Sequence, residues 1–114
     1  MSVSTDKSVN MALLLDFYGV MLSEKQRDTM ELYYNEDMSL SEIAEIHGIS
    51  RAGVRDRIMK SEAMLTGFEE KLGLIKRFED MKAEIADIRE ILISSQKTGD
   101  IPVDEIISRL EKLN

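Results

Sequence analysis

The chain of 114 residues carries a formal charge of −7 and contains no cysteine and one proline. This length supports one small domain, which buries about two-thirds of its unfolded surface. Without cysteine, disulfide frameworks, thiol catalysis and cysteine-based metal sites are excluded, which suits a reducing cytoplasm. The apolar N-terminal stretch is interrupted by Asp16 and lacks the features of a membrane span or a signal peptide. We therefore expect a cytoplasmic protein without a membrane anchor.

Apolar residues recur every three or four positions almost throughout the chain, and no segment alternates as a half-buried strand does. This pattern predicts an all-α protein. A first amphipathic helix is expected to end near Gly19. Ser23 and Gln26 then have the spacing of a capping box, which opens a second helix that buries Thr29, Met30 and Tyr33.

Residues 39–65 have the pattern of a helix-turn-helix. Ser39 and Glu42 form a second predicted capping box, at the start of a short helix. Gly48 can take the left-handed conformation that ends this helix, and Ser50 is placed to cap the next one. Small and apolar residues are also present at the positions that seat the second helix on the first. These seating residues are Ala44, Ile49, Val54 and Ile58.

We interpret residues 1–67 as a helix-turn-helix domain with a tri-helical core and residues 68–114 as an extended C-terminal helical arm. Apolar residues step along the arm by three and four positions, which is the heptad pattern of a helical seam. The residues of this predicted seam are Phe78, Met81, Ile85, Ile88 and Leu92. A loop over residues 94–100 and a last helix with Pro102 in its first turn are also predicted. The arm either completes the core of the monomer or pairs with a second copy, and the limited surface of the tri-helical body favours a homodimer.

The outer side of the second helix of the motif is the candidate nucleic-acid-binding surface. Residues 51–60 contain four basic groups and one aspartate, for a local charge of +3. Arg51 and Arg55 share one face, where an arginine fork can bind guanine or clamp a phosphate. By helical spacing, the predicted contact residues on this helix are Ser50, Arg51, Ala52, Arg55 and Lys60. At the start of the first helix, Ser39 and Ser41 are predicted to hold backbone phosphate.

A second interpretation stays open, because a helix-turn-helix is also a stable scaffold that need not bind nucleic acid. The acidic chain offers only a small basic surface, and phosphate affinity depends on basic residues. Asp56 would face phosphate unfavourably. Gly53 weakens the helix by about 1 kcal/mol relative to alanine. On this interpretation the helix is a scaffold or a protein-binding surface.

No residue pattern in the sequence indicates catalysis or a cofactor. His47 is the only histidine, and since no nucleophile or paired acid is placed beside it, we expect a structural residue. Glycine-rich phosphate loops and histidine–carboxylate metal spacings are absent from the sequence. We predict a protein that is not an enzyme and that uses no cofactor or metal.

The residues LSEKQRDTMELYYNEDMSLSEIAEIHGISRAGVRDRIMKSEAML resemble region 4 of sigma factors and, more closely, the YlxM-type family of small bacterial helix-turn-helix proteins. The resemblance covers nearly the whole chain and includes LLLDFYGVMLSEKQ and LYYNEDMSLSEIAE. It implies a sigma region 4-like fold and a role in, or regulation of, the signal recognition particle pathway. In the sigma-like recognition helix, Arg51, Ala52, Arg55 and Lys60 stand at positions that meet nucleic acid. The other regions of a sigma factor have no counterpart here.

Two hypotheses of different class follow. In the first, a regulatory module uses the Arg51 and Arg55 face to bind DNA or a structured RNA, such as the RNA of the particle. In the second, the chain is a protein-interaction accessory factor, with the helix-turn-helix as scaffold. Its acidic surface would dock on a basic partner, such as an RNA-binding targeting GTPase among the components of the particle.

Overall fold

The computed structural model describes residues 2–113, with side chains from residue 10 onward, and this part of the chain is helical without strands. Six α-helices and one 3₁₀ turn follow each other along it. The helices are α1 (Ser2–Tyr18), α2 (Glu24–Tyr34), α3 (Leu40–His47), α4 (Arg51–Leu72), α5 (Leu74–Thr98) and α6 (Val103–Glu111), with the 3₁₀ turn (Gly19–Met21) after α1. The all-α prediction is confirmed. None of the described helices has the length and hydropathy needed to cross a bilayer.

Contacts divide the chain into two compact units, which we describe separately. The first unit is Met1–Leu74 and the second is Ile75–Asn114. The sequence pattern had placed the division between residues 67 and 68. The two boundaries differ because α4 continues through Gly67 and ends only at Gly73, whose φ of 60° is left-handed.

Both predicted capping boxes are confirmed. At the start of α2, the Gln26 N–H donates to Ser23 Oγ at 3.1 Å, and the Ser23 N–H donates to Gln26 Oε1 at 3.1 Å. At the start of α3, the Glu42 N–H donates to Ser39 Oγ at 3.1 Å, and the Ser39 N–H donates to Glu42 Oε1 at 2.8 Å. Each box satisfies two backbone groups that the first turn of a helix leaves without a partner. The starts of α2 and α3 are therefore fixed by local sequence.

Helices α1 to α4 enclose the core of the first unit. Its fully buried side chains come from all four helices and are mostly large and apolar. They are Tyr18, Met30, Ile43, Leu65, Val54, Thr29 and Ser61. The predicted burial of Thr29 and Met30 is confirmed, whereas Tyr33 is only half-buried. Three of the four seating residues are buried as well, and Ile49 is half-buried.

The buried Tyr18 connects α1 with the end of α4. Its ring centroid lies 6.0 Å from that of Phe68. Its hydroxyl donates to Glu69 Oε1 at 2.5 Å and accepts from the Leu74 N–H at 3.1 Å. A buried tyrosine hydroxyl needs such partners, because an unpaired polar group in a core is costly. No local pattern predicts these bonds, since the partners lie 51 and 56 positions away along the chain.

In the second unit, α5 and α6 form an antiparallel hairpin. Arg109 Nη1 on α6 lies 3.2 Å from Glu84 Oε2 and 3.7 Å from Asp87 Oδ2 on α5. Residue 109 thus returns to the level of residues 84–87 after the chain has reversed. Among the described residues of this unit, Ile88 and Ser95 are buried. The hairpin has a much smaller core than the first unit.

Residues 94–100 do not form the predicted loop, because α5 continues to Thr98 and ends at Gly99, whose φ is 76°. The composition favoured a loop, since serine and threonine side chains compete with the backbone bonds of a helix. Here Ser95 is buried, and its hydroxyl donates to the carbonyl four residues earlier at 2.8 Å. That bond satisfies the hydroxyl within the helix. Pro102 is the N-cap of α6 and precedes its first turn.

The predicted seam is only partly covered within one copy of the chain. Ile88 is buried and Met81 is half-buried. Phe78, Ile85 and Leu92 keep 43%, 49% and 43% of their surface exposed. The structure thus separates the seam into a covered side and an exposed side.

Candidate nucleic-acid interface

Helices α3 and α4 and the turn between them form the predicted helix-turn-helix. Gly48 ends α3 with a left-handed φ of 67°, and its N–H bonds to the carbonyl of Ala44. The Ile49 N–H bonds to the same carbonyl at 3.1 Å. Ser50 then caps α4 by accepting the Gly53 N–H on its hydroxyl at 3.0 Å. The predicted roles of Gly48 and Ser50 are confirmed, and the start of α4 is held rigidly at the turn.

The turn packs closely against Gly53. A Cβ at Gly53 would lie 3.2 Å from Ser50 Oγ and 3.6 Å from Ile49 Cδ1. The distance to Ile49 is an ordinary van der Waals contact, whereas the capping hydroxyl would have to move by a few tenths of an ångström to admit a Cβ. The sequence alone indicated a cost for this glycine but not this contact, which comes from the fold of the turn.

The outer side of α4 presents Arg51, Ala52 and Arg55 to solvent. The two arginines are four positions apart and therefore lie on one face, with the small side chain of Ala52 beside them. Among the described residues, neither arginine forms an ion pair or a side-chain hydrogen bond. Both guanidinium groups are free to bind a phosphate or a base edge.

The next turn of α4 carries an internal ion pair. Lys60 Nζ lies 3.1 Å from Asp56 Oδ2, and both side chains are largely exposed. Such a pair contributes only about 0.3–0.5 kcal/mol, so a phosphate can replace the carboxylate as the partner of Lys60. Asp56 is therefore compensated within its own helix, and the surplus positive charge of the outer side resides on Arg51 and Arg55.

Arg57 does not belong to the outer surface, although the sequence count of basic groups included it. Its Nη1 donates to Thr29 Oγ1 at 3.1 Å and to His47 Nδ1 at 3.0 Å. Helical spacing could have indicated this orientation, because Arg57 lies between the buried Val54 and Ser61 on the inner side of α4. The basic footprint is smaller than the sequence suggested.

His47 links three helices of the first unit. Its Nε2 lies 2.8 Å from Asp28 Oδ2 on α2, and its Nδ1 faces Arg57 on α4. A guanidinium can only donate, so in this contact Nδ1 accepts from Arg57, while Nε2 faces the carboxylate of Asp28. This arrangement gives the histidine a structural role of the kind expected. The sequence offers no pattern that pairs these three residues.

Ser39 and Ser41 lie at the exposed N-terminus of α3. The hydroxyl of Ser39 already caps the helix, whereas that of Ser41 has no hydrogen-bond partner among the described residues. Glu42 places its carboxylate on the same N-terminus, and the hydrogen bonds to the backbone and side chain of Ser39 lower the pKa of Glu42. A phosphate at this end of α3 would meet that negative charge. Of the two serines, Ser41 is thus the more available to donate a hydrogen bond to a phosphate.

The described residues contain no group of three histidine, cysteine, aspartate or glutamate side chains arranged to hold a metal ion. Their most distinctive surface feature is the turn between α3 and α4 with the two unpaired arginines beside it. A four-helix core that presents the second helix of the motif in this way defines a protein of the helix-turn-helix class.

The chain belongs to the family described as "Putative helix-turn-helix protein, YlxM / p13 like", whose model matches residues 5–103. A UPF0122 protein of Shouchella clausii is 41% identical over 109 residues, covering 96% of this chain and 98% of the relative. One of Thermoanaerobacter sp. (strain X514) is 41% identical over 114 residues, covering 96% and 97%. One of Bacillus cereus (strain AH187) is 39% identical over 109 residues, covering 96% and 98%. The family expected from the sequence is confirmed.

Proposed function

We propose that this protein is a regulatory nucleic-acid-binding module that reads its target with the Arg51 and Arg55 face of α4. The observation that carries the proposal is that both guanidinium groups are exposed and unpaired on one face, directly after a rigid turn. A fixed helix start limits the orientations of its side chains, and such preorganisation favours binding. Membership of a helix-turn-helix family supports the same role.

In this proposal the residues around the turn have different tasks. Arg51 and Arg55 bind guanine edges or clamp phosphates, and the small Ala52 lets the backbone of α4 approach the groove. Ser50, Lys60, Ser39 and Ser41 contact the sugar-phosphate backbone and set the orientation of the motif. Lys60 exchanges the carboxylate of Asp56 for a phosphate.

The charge of the whole chain sets the character of the interaction. Residues 51–60 carry +3, so the rest of the chain carries −10, since −7 − 3 = −10. This acidic background repels phosphate beyond the immediate contact. We therefore expect a short contact that weakens as salt screens the arginines. The target in this proposal is DNA or a structured RNA. The resemblance to the YlxM-type family implies a role in the signal recognition particle pathway, and the RNA of that particle is therefore the candidate RNA.

The test is to measure the affinity of the full chain for labelled duplex DNA and for the particle RNA by fluorescence anisotropy at several salt concentrations. We expect Arg51→Ala with Arg55→Ala to lower the affinity at least tenfold and to reduce the slope of log K against log salt by about 2. The control is Arg77→Ala with Lys97→Ala, which removes the same charge from exposed positions of α5. Unchanged binding of the first variant would contradict the proposal.

A charge-preserving variant separates the two uses of an arginine. Replacing Arg51 and Arg55 by lysine keeps both charges but removes the planar fork. If the arginines read guanine, this variant should keep the salt slope but lose its preference among sequences. If they clamp phosphate alone, affinity should fall about equally for all sequences.

The second candidate is a protein-interaction accessory factor, and the charge of −10 outside residues 51–60 favours it. An acidic surface speeds the encounter with a basic partner, such as an RNA-binding targeting GTPase. In a pull-down with and without nuclease, this candidate requires that the partner be recovered after the RNA has been digested. Recovery only with intact RNA would favour the nucleic-acid proposal instead.

A further inference from the structure

The hairpin of α5 and α6 exposes two rows of large apolar side chains. The α5 row repeats every seven residues, and the α6 row steps by four and three. Each side chain keeps between 43% and 53% of its surface exposed. These residues are Phe78, Ile85 and Leu92 on α5 and Val103, Ile107 and Leu110 on α6. We call the six together the apolar face.

The contacts within the hairpin fix the sides of the two helices that face each other. On α5, that side carries Glu84, which contacts α6, and the buried Ile88 one turn further on. On α6, it carries Arg109 and the half-buried Ile106. The two apolar rows lie beside these facing sides.

Both rows lie on the same side of the hairpin, as helix geometry requires. Each residue turns an α-helix by about 100°, and each row is displaced from its facing side by about 80–90° in the direction of chain progression. Viewed from the start of α5, that direction is clockwise for α5 and counter-clockwise for the antiparallel α6. Since the helices face each other, these opposite rotations lead to one common side. The apolar face is therefore continuous, and a contiguous exposed apolar surface is typical of an interaction site.

Charged residues flank the apolar face, and the two edges have opposite sign. The outer edge of α5 carries Lys82 and Arg89, seven residues apart. The outer edge of α6 carries Asp104 and Glu111, also seven residues apart. None of these four forms an ion pair among the described residues, and Lys82 Nζ lies 5.3 Å from the centre of the Phe78 ring. One edge is thus basic and the other acidic.

Each basic residue on the edge of α5 also lies at nearly the same height along the hairpin as an acidic residue on the edge of α6. Arg109 contacts Glu84 and Asp87, so residue 109 lies at about the level of residues 85–86 of α5. In the antiparallel α6, residue 111 then lies near the level of residue 84 and residue 104 near the level of residues 90–91. Glu111 is within about 3 Å of the height of Lys82, and Asp104 within about 3 Å of that of Arg89, at about 1.5 Å per residue.

Two copies related by a two-fold axis parallel to the helices would bring these opposite charges together. Such an axis places α5 of one copy over α6 of the other and keeps all heights unchanged. The basic edge of each copy then meets the acidic edge of its partner, with Lys82 opposite Glu111 and Arg89 opposite Asp104. A two-fold axis across the helices would bring α5 over α5, so that like charges meet on both edges, which is unfavourable. The charge pattern is therefore self-complementary in one arrangement only.

We propose that two copies of this chain pair through the apolar face, with α5 of each copy packed on α6 of the other. The result is a four-helix bundle closed by four intermolecular ion pairs. This inference does not depend on nucleic-acid binding by the first unit. A dimer of this kind carries two Arg51 and Arg55 surfaces, and two linked contacts bind more tightly than either alone.

Sedimentation equilibrium of the full chain tests the pairing, and a dimer is expected at micromolar concentration. Val103→Glu and Ile107→Glu each place a charge in the apolar face twice per dimer, and each should raise the dissociation constant about a hundredfold. The matched control is Val20→Glu, since Val20 is 78% exposed in the first unit. Circular dichroism checks that each variant keeps its helix content. A monomeric parent chain, or a dimer that both substitutions leave intact, overturns the proposal.

A charge exchange tests the arrangement of the two copies. Arg89→Glu alone should weaken the dimer about tenfold, because two like-charged pairs then replace two attractive ones. Adding Asp104→Arg to the same chain should restore the affinity, since each new glutamate meets a new arginine of the partner. A dimer that the second substitution fails to restore overturns the packing of α5 on α6.

Discussion

Among the described side chains, seven from four helices are fully buried in the first unit, whereas in the second unit even the most buried ones, Ile88 and Ser95, keep 6% and 5% of their surface exposed. Hydrophobic residues make up a similar share of both units. The difference lies in the number of helices that meet, because a four-helix arrangement can cover each apolar stripe and a two-helix hairpin cannot. A regular apolar pattern therefore shows that a surface is to be covered but not which part of the molecule covers it.

The largest expected effect is a difference in stability between alanine substitutions at two leucines, one buried and one exposed. Leu65 is fully buried in the first unit, and Leu92 is 43% exposed in the second. We expect Leu65→Ala to lower the free energy of unfolding by about 2–5 kcal/mol, because it leaves a cavity in the core. Leu92→Ala should cost less than about 1 kcal/mol in dilute solution.

Urea denaturation at two protein concentrations measures both effects. If a second copy covers Leu92, the cost of Leu92→Ala grows with protein concentration, while that of Leu65→Ala is unaffected by the loss of association. Equal costs for the two leucines in dilute solution would contradict the contrast between the units.

A smaller effect should distinguish two arginines of α4. Arg57→Ala removes the hydrogen bonds that join the inner side of α4 to Thr29 and His47. We expect this substitution to lower the free energy of unfolding by about 1–3 kcal/mol. Arg55→Ala should change stability by less than about 0.5 kcal/mol, because Arg55 is exposed and unpaired.

Nucleic-acid binding should show the opposite order. At a temperature where both variants are folded, Arg55→Ala should weaken binding and Arg57→Ala should leave it nearly unchanged. Thermal denaturation and anisotropy on the same samples test the pair. If Arg57→Ala weakened binding as much as Arg55→Ala, the assignment of Arg57 to the scaffold would be wrong.

The smallest effect concerns acid. The hydrogen bonds from the backbone and side chain of Ser39 hold the pKa of Glu42 below its ordinary value of 4.5. A lowered folded pKa means that ionised Glu42 stabilises the fold above pH 4.5 and that this contribution is lost as the pH falls through the folded pKa. Glu42→Gln keeps the spacing of a capping box but does not titrate. The stability difference between the parent and this variant should therefore shrink as the solution is acidified.

Ser39→Ala supplies the control for the acid experiment. Without the Ser39 hydroxyl, one of the two groups that favour ionised Glu42 is lost, so Glu42→Gln should have a weaker pH-dependent effect in that background. Urea denaturation over a series of acidic pH values gives the required free energies. A stability difference that is independent of pH in the parent background would exclude this contribution of Glu42.

Local features of the fold were predicted well because their causes are local. The capping pairs of Ser23 and Ser39 span three residues each, and Gly48 ends α3 through its own φ angle. The prediction over residues 94–100 was wrong, because a serine hydroxyl can bond within a helix once it is buried. The candidate contact residues of α4 were found by spacing alone, and their use in binding stays a prediction.

The sequence by itself determined the helical class and the helix-turn-helix, because capping, turn formation and apolar periodicity depend on neighbours a few positions apart. The family followed from the resemblance of residues 22–65 to the YlxM-type proteins. Only the tertiary structure decided which basic residues of α4 are free. It turned Arg57 toward Thr29 and His47 and left Arg51 and Arg55 exposed. It also divided the apolar seam of α5 into a covered and an exposed side. The physical reason is that both outcomes depend on contacts between helices, whose partners lie far apart along the chain.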